Sequence, residues 1–264
     1  MARRRLDSEL VHRGFARSRE QARGLVESGR VRLAGVVATK PATQVDAEAS
    51  IAVRENPDGP DYVSRGAHKL VGALDAFGLD VAGRRALDAG ASTGGFTDVL
   101  LRRGIAAVLA VDVGYGQLAW PIRSDERVTV LERTNVRDLT VDLLPYRPDL
   151  VVGDLSFISL ALVLPALVSV ATDDADLVLM VKPQFEVGKQ LVGPGGVVRD
   201  PALRSDAVRR IAAVALDLGR GTAGVVASPL PGPSGNVEYF LHLRPGAGAL
   251  DESELARAIE EGPR

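Results

Sequence analysis

The sequence predicts an α/β protein in which a small basic module precedes a mainly parallel, doubly wound sheet of seven strands. Three observations lead to this prediction. Strand-like and helical patterns alternate after residue 64, which is typical of parallel α/β folds. A polar stretch with two prolines and a glycine, ENPDGPDYVS at 55–64, interrupts the chain before them. Residues 1–40 hold ten Lys or Arg against four Asp or Glu, although the whole chain has a formal net charge of −2. We therefore expect a module at 1–54, a linker at 55–63 and the larger domain at 64–264.

The basic module shows two short helical patterns, at 7–13 and 18–28, followed by the strand-like VRLAG. Ser18 is placed as an N-cap and Gly29 as a stop signal. Apolar side chains at suitable spacing predict a small core, which rules against a solvated tail: Leu6, Leu10, Val11, Ala22 and Val26. A basic folded module attached to an acidic body predicts docking to an anionic polymer.

Seven strand-like segments follow the linker, with helical patterns between the early ones. We place the strands at 85–89, 107–112, 127–131, 149–154, 176–182, 222–227 and 237–243. The run at 155–172, LSFISLALVLPALVSVAT, has eighteen residues without a charge. This is the lower limit for a membrane span. Pro165 interrupts the run and acidic residues flank it. We therefore predict a buried helix there.

Composition excludes several kinds of site. The chain has no cysteine, so it has no disulfide, thiolate nucleophile or cysteine-bound metal. Its histidines, His12, His68 and His242, lie far apart in the sequence, so we expect no histidine-based metal site. The N-terminus lacks an apolar signal segment. We expect a cytoplasmic enzyme or binding protein.

The stretch LDAGASTGGFTDVLLRRG at 87–104 combines a strand end, a glycine-rich turn and a helix. Residues 90–94 match the G-x-S-x-G nucleophile elbow of hydrolases, but that mechanism needs a later histidine in a loop, and His242 lies inside a strand pattern. The spacing G-x-x-x-G-G does not match the dinucleotide fingerprint. Asp88 at the mouth of the turn would repel a pyrophosphate and attract an ammonium group. S-adenosylmethionine carries an ammonium and a sulfonium and no phosphate, so the turn predicts this methyl donor.

Asp112 ends the second strand of the larger domain, where a carboxylate can bind ribose hydroxyls. Asn135 follows the third strand, and the pattern assigns it equally to the adenine site or to a turn. We expect the glycines of the turn to let its backbone approach the donor. The candidate donor-binding residues are Asp88, Gly90, Ala91, Ser92, Thr93, Gly94, Gly95, Phe96, Asp112 and Asn135.

Four charged residues lie at predicted strand ends or beside them. Asp154 ends the fourth strand and Lys182 the fifth, so both emerge where ligands bind in such sheets. Lys69 lies in a helical pattern before the first strand, and Glu238 faces away from Val237 and Tyr239. Each could be a surface charge. Together they predict a catalytic group in which Lys182 lies closest to the acceptor hydroxyl, either as a neutral base or as a charged stabiliser.

These motifs resemble known families. The first 50 residues are similar to the S4 RNA-binding domain, with Ala34-Gly35 where Asn-Gly is common. Lys69, Asp154, Lys182 and Glu238 look like the K-D-K-E tetrad of FtsJ/RrmJ-type ribose 2′-O-methyltransferases. With SRGAHKL, DAGASTGGFTDVLL, VDVGYGQL, DLSFISL, VKPQFEVGK and GPSGNVEYF, the whole chain resembles the TlyA family of rRNA (cytidine-2′-O)-methyltransferases. The resemblance implies a Rossmann-like methyltransferase domain, S-adenosylmethionine as cofactor, and rRNA of both ribosomal subunits as substrate.

The basic side chains that we expect to bind RNA phosphates lie in both parts of the chain: Arg5, Arg17, Arg19 and Lys40 in the module, and Arg65, Arg133, Arg137 and Lys189 in the larger domain. Any single one could be a solvated surface charge. Three other functions stay open, namely a non-catalytic ribosome-binding factor, a membrane-acting hemolysin and an S4-bearing pseudouridine synthase. The last needs neither the glycine-rich turn nor Asp112.

Overall fold

A computed structural model describes residues 3–16, 18–54 and 61–263. The chain divides into two compact units, residues 1–61 and 62–264. The segment 55–60, which is most of the predicted linker, lies outside the described residues.

The first unit is a small α+β module. Its elements are β1 (Arg4–Arg5), α1 (Leu6–His12), α2 (Arg19–Glu27), β2 (Val31–Leu33), β3 (Val36–Val37), β4 (Gln44–Val45) and β5 (Ile51–Val53). Strand β1 pairs with β4, and β2 pairs with both β3 and β5, all antiparallel. Ser18 caps α2 by accepting a hydrogen bond from the backbone N–H of Gln21 at 3.1 Å, as predicted. Gly29 has a left-handed φ of 70° just beyond the helix, which confirms the predicted stop.

The core of this module forms where the sequence predicts it. Leu6, Leu10, Ala22 and Val26 are buried, and Val11 packs against them partly exposed. The turn between β2 and β3 consists of Ala34 and Gly35, with φ values of 46° and 84°. Two successive positive φ values are typical of the tight hairpin turn that suits the twist of two antiparallel strands.

The second unit begins with α3 (Gly66–Phe77). It continues through β6 (Arg85–Ala89), α4 (Gly95–Arg102), β7 (Ala107–Val111), α5 (Trp120–Arg123), β8 (Val128–Leu131), β9 (Leu150–Gly153), α6 (Leu160–Val170), β10 (Asp176–Val181), α7 (Pro183–Glu186), α8 (Pro201–Asp217), β11 (Gly221–Ala227), β12 (Tyr239–Arg244) and α9 (Glu252–Glu261). The predicted strands all form, with bounds that agree to within two residues.

These strands form one sheet in the order β11-β12-β10-β9-β6-β7-β8. The strands are parallel except β12, which runs antiparallel to its neighbours β10 and β11. The strand order reverses between β6 and β9, and ligands of such folds bind at the carboxyl edge beside this point. The turn after β6 and Asp154 after β9 therefore both lie where a ligand is expected.

Two apolar clusters cover the two faces of the sheet. The charge-free run 155–172 contains α6 (Leu160–Val170), whose side chains Leu160, Val163, Leu164 and Leu167 are buried in one of these clusters. This confirms the predicted buried helix. Among the described residues, no helix combines the length and apolar character that a bilayer span requires.

Candidate active site

Backbone hydrogen bonds to the end of β7 hold the glycine-rich turn after β6. The N–H groups of Gly90 and Ala91 both donate to the carbonyl oxygen of Val111, at 2.9 and 3.1 Å. Gly90, Ser92 and Gly94 have φ values of 84°, 48° and 94°. Three left-handed residues among five reverse the chain sharply, so that α4 begins directly behind the turn.

Close contacts with neighbouring residues explain why these positions are glycines. A Cβ on Gly90 would lie 2.9 Å from the carbonyl oxygen of Asp154, and one on Gly94 would lie 2.8 Å from the Leu118 side chain. A Cβ on Gly95 would overlap the hydroxyl of Ser64. The three glycines thus bring the turn against the loop after β9 and against the start of α3. That they also approach a donor stays a prediction.

Asp88 lies beneath the turn and not at its mouth. Its side chain is fully buried, and Oδ2 accepts a hydrogen bond of 2.6 Å from the Thr97 hydroxyl of α4. Oδ1 is also buried and has no hydrogen-bond partner. Burial is the main cause that raises the pKa of Asp88 to about 7. The hydrogen bond from Thr97 lowers the pKa, and the charges of Asp154 and Asp112 raise it further. Such an orphaned carboxylate oxygen favours a cation nearby.

The other predicted donor-binding residues have different surroundings. Asp112 is partly exposed, and its two oxygens accept hydrogen bonds from the N–H groups of Ser92 at 2.8 Å and Gly114 at 2.7 Å. Each oxygen keeps a lone pair for a ligand hydroxyl. Phe96 is buried and packs near Phe240, with ring centroids 6.1 Å apart, so its side chain belongs to the core. Asn135 is exposed and caps a short 3-10 turn by accepting from the Arg137 N–H at 3.1 Å, which matches its assignment to a turn.

Ala91, Ser92 and Thr93 form the loop of the turn itself. Ala91 is buried, Ser92 is exposed, and the carbonyl oxygen of Thr93 accepts from the N–H of Ala119 at 3.1 Å. This bond ties the turn to the segment before α5.

Lys182 and Asp154 form an ion pair at the carboxyl edge of the sheet. The Lys182 Nζ lies 2.5 Å from Asp154 Oδ1 and donates a hydrogen bond of 2.8 Å to the Ser156 hydroxyl. The Lys182 side chain is 9% exposed and that of Asp154 is 25% exposed. The lysine amine is therefore nearly enclosed, whereas its carboxylate partner is open to a ligand.

Lys69 and Glu238 form the second ion pair. The Lys69 Nζ on α3 donates to Glu238 Oε2 at 2.5 Å, with side-chain exposures of 10% and 1%. Glu238 Oε1 is buried without a hydrogen-bond partner. A Cβ on Gly232 would lie 2.6 Å from this oxygen, so the glycine leaves room for the carboxylate.

The strand register brings the two pairs together. Val181 pairs with Tyr239 in the antiparallel ladder of β10 and β12. The next position in this register places Lys182 opposite Glu238. Opposite residues of antiparallel strands project from the same face, with Cβ atoms about 5 Å apart. The four predicted catalytic residues thus form two ion pairs, built from α3, from the residues just after β9 and β10, and from the residue just before β12, and the register predicts that the two pairs are adjacent.

Three contributors are not among the sequence predictions. Ser156 accepts a hydrogen bond from Lys182, and Thr97 donates one to Asp88. Asn236 holds the loop before Glu238, because its Oδ1 accepts from the Val198 N–H at 2.9 Å and its Nδ2 donates to the Gly196 carbonyl at 2.8 Å. All three lie inside motifs quoted in the sequence analysis, but the two residues that Asn236 contacts are distant in the sequence, and no local pattern indicates these contacts.

The predicted RNA-binding side chains are mostly exposed. Lys40, Arg65, Arg133, Arg137 and Lys189 are exposed, and Arg133 also stacks over the Tyr115 ring at 4.3 Å. Arg5 and Arg19 share an acidic partner in the first unit. Arg17 lies outside the described residues.

Two negative observations concern other kinds of site. Within residues 3–16, 18–54 and 61–263, no group of three or more His, Asp or Glu is placed to hold a metal ion. A cleft of about 710 Å³ lies between α8, α9 and the loop at 232–237, and its lining includes Arg204, Val237 and Ile259. None of the predicted site residues lines this cleft.

Comparison with known proteins matches both units to families. Residues 4–51 match the S4 domain, and residues 62–245 match the FtsJ-like methyltransferase. The chain is 61% identical to the 16S/23S rRNA (cytidine-2′-O)-methyltransferase TlyA of Mycobacterium tuberculosis, over 100% of both chains. It is 36% identical to Hemolysin A of Brachyspira hyodysenteriae, over 90% of this chain and 99% of that protein.

A solved structure gives the same architecture. It is a candidate hemolysin from Streptococcus thermophilus with 37% sequence identity and a TM-score of 0.75. The alignment covers 99% of this chain and 97% of that one.

Proposed function

The chain belongs to the TlyA family of methyltransferases, which joins an S4 domain to an FtsJ-like domain, and we propose that it methylates the ribose 2′-hydroxyl of cytidine in rRNA. The methyl donor in this proposal is S-adenosylmethionine. The proposed substrates are the RNAs of both ribosomal subunits in the cytoplasm, as the name of the M. tuberculosis relative indicates for that protein.

One observation carries the proposal. Lys182 is held between Asp154 and Ser156, opposite the Lys69–Glu238 pair, at the edge of the sheet where the turn after β6 also ends. Two lysine–carboxylate pairs suit the handling of a single proton. They offer no nucleophile for a covalent intermediate other than amines already engaged by carboxylates.

The residues around the turn fit the donor. Asp88 has a buried, unpartnered Oδ1, and above its pKa of about 7 it carries negative charge beneath the turn, which favours the ammonium and sulfonium of S-adenosylmethionine. The Asp112 carboxylate is partly exposed and holds lone pairs for the ribose hydroxyls. When bound, the donor supplies an electrophilic methyl group on sulfur.

Transfer to a hydroxyl releases one proton, and the chain must orient the acceptor oxygen and accept that proton. The Lys182 amine donates one hydrogen bond to Ser156 and forms an ion pair with Asp154, whose Oδ1 accepts no hydrogen bond. In this proposal the amine also contacts the 2′-oxygen. The proton that leaves this oxygen can pass to the Lys182–Asp154 pair, because the carboxylate is 2.5 Å from Nζ and can take a proton from it. Glu238 holds Lys69 by an ion pair, and in this proposal the Lys69 ammonium stabilises the developing oxyanion while the Lys182–Asp154 pair accepts the proton.

The first unit supplies an RNA-binding surface in this proposal. S4 domains bind structured RNA, and phosphate contacts by arginine and lysine dominate the affinity of such surfaces. In this proposal, four exposed basic residues of the second unit also bind RNA phosphates: Arg65, Arg133, Arg137 and Lys189.

The test is to map ribose methylation by mass spectrometry. Purified 30S and 50S subunits that lack the modification are incubated with the protein and with S-adenosylmethionine carrying a CD₃ group. We expect the label on the 2′-oxygen of cytidine in each subunit. Label on a base, or no label when binding to the subunits is intact, would overturn the proposal. The second result would leave the ribosome-binding factor as the function.

A further inference from the structure

Two acidic side chains of α1 are buried in the basic module. Asp7 is 1% exposed and Glu9 is 3% exposed. Each contacts two arginines, Asp7 with Arg5 and Arg19, and Glu9 with Arg4 and Arg13. Buried carboxylates in a module that is expected to meet a polyanion need an explanation, because each opposes RNA binding by its charge.

The two acids have different partners. Arg13, which Glu9 contacts at 2.8 Å, also donates to the carbonyl oxygens of Ala47 and Ala49 at 2.7 Å. Glu9 therefore stabilises an arginine that ties a loop of the module together. This is a structural role within the fold.

Asp7 instead holds arginines that point outward. Arg5 donates through Nε to Oδ1 at 3.1 Å and through Nη2 to Oδ2 at 2.8 Å, and Arg19 donates through Nη2 to the same Oδ2 at 3.2 Å. The side chains of Arg5 and Arg19 are 40% and 60% exposed. In the part of the chain that the structure describes, neither guanidinium has another hydrogen-bond acceptor. Their remaining N–H groups are available to a ligand.

The electrostatics of this cluster favour a fixed arrangement. The hydrogen bond from Arg5, supported by Arg19, holds the pKa of Asp7 well below its usual range in spite of burial. The carboxylate is therefore ionised at neutral pH, and it offsets the repulsion that would separate two guanidinium groups bound to one oxygen.

We propose that Asp7 is a positioning residue for RNA, which holds Arg5 and Arg19 side by side as one phosphate-binding pair. This inference rests on the proposed function, in which the first unit docks on rRNA. Long arginine side chains lose rotamer freedom when they bind, and an arrangement fixed in advance reduces that loss. Arginine guanidinium groups also match phosphate oxygens in geometry when they are oriented.

The charge of Asp7 and its positioning role predict opposite effects of Asp7→Asn on the affinity for RNA. Asp7→Asn removes a negative charge from the RNA-binding unit, and charge alone therefore predicts tighter binding to RNA. Loss of positioning predicts weaker binding. Glu27→Gln is the matched control, since it makes the same charge change at an exposed residue of α2.

The experiment measures binding of the full-length protein to unmodified 50S subunits over a range of salt concentrations. We expect Asp7→Asn to weaken binding by roughly five- to tenfold, and to raise KM for the subunit without changing kcat or donor affinity. We expect the salt slope to fall by about one unit for each phosphate contact that is lost. Glu27→Gln should bind as tightly as wild type or more tightly. Equal or tighter binding by Asp7→Asn would overturn the proposal.

A double-mutant cycle separates positioning from misfolding. In the Arg5→Ala/Arg19→Ala background, Asp7→Asn should cause no further loss, because the side chains through which Asp7 acts are absent. A loss of the same size in both backgrounds would show that the substitution damages the module, and would overturn the proposal. If Arg5→Ala/Arg19→Ala itself binds like wild type, the docking role of the first unit fails independently of Asp7.

Discussion

The raised pKa of Asp88 predicts that ionisation of this carboxyl lowers the stability of the fold but favours binding of the donor. Its carboxyl is fully buried, accepts one hydrogen bond from Thr97, and leaves Oδ1 without a partner. Burial raises its pKa from an ordinary 3.8 to about 7. Between these two values the folded protein keeps a proton that the unfolded chain has released. The stability that Asp88 contributes is therefore fully present below about pH 4 and is lost as the pH rises towards 7.

The size of this effect follows from the shift. One pKa unit corresponds to about 1.36 kcal/mol, so a shift of about three units amounts to at most about 4 kcal/mol. Asp88→Asn removes the ionisable group and keeps its shape. We expect the stability of this variant relative to wild type to increase by roughly 2 to 3 kcal/mol between pH 5 and pH 8. At pH 8, where the wild-type carboxyl is ionised, we expect the variant to bind S-adenosylmethionine more weakly than wild type, because it lacks the negative charge beneath the turn. At pH 5 we expect the two affinities to be similar, because the wild-type carboxyl is then protonated.

The assay is urea unfolding of both proteins at pH 5 and at pH 8. Trp120 is the single tryptophan of the chain and lies in the second unit, so its fluorescence reports on the unit that holds Asp88. The free energy of unfolding of the variant minus that of wild type is compared at the two pH values. Its change with pH reports the ionisation of Asp88, because any cost of placing an amide beside Thr97 is the same at both. A difference that stays the same at both pH values would refute the inference that Asp88 is a carboxyl with a strongly raised pKa.

Three further predictions concern single positions. Asp112→Ala should lower donor affinity by about tenfold or more, the effect of a lost hydrogen bond to a charged group, and calorimetry that finds wild-type affinity would remove this residue from the donor site. Gly95→Ala should destabilise the second unit by about 1–3 kcal/mol, since the added Cβ would meet the Ser64 hydroxyl, and an unchanged unfolding midpoint in urea would contradict that contact. Ala34→Asn should stabilise the first unit by about 0.5–1 kcal/mol, because Ala34 has a φ of 46° and asparagine tolerates this region better. A lower thermal midpoint would contradict it.

The sequence predicts the sheet and the elements around the site because these depend on local patterns. Seven apolar segments separated by turns specify β6 to β12, and their alternation with helices predicts a mainly parallel sheet. The N-cap at Ser18 and the stop at Gly29 depend on single residues and also form as predicted. Asp154 and Lys182 could be found because strand ends meet at one edge.

Features that depend on side-chain direction could not be predicted. Asp88 follows the pattern of a residue at the mouth of the turn, yet its side chain turns inward to Thr97 and is buried. Phe96 lies in the turn motif but packs near Phe240. The register that places Lys182 opposite Glu238 depends on an antiparallel pairing of strands more than 50 residues apart. No sequence spacing specifies that pairing.

The most direct test of the account is a single-turnover measurement with Lys182→Ala. The reaction is run with saturating S-adenosylmethionine and 50S subunits, and binding of both is measured separately. The account predicts that methyl transfer is lost while both affinities stay within about twofold of wild type, because Lys182 acts on the oxygen only during transfer. A near-normal rate of transfer in this variant would contradict the central claim and would direct attention to Lys69 as the amine that acts on the hydroxyl.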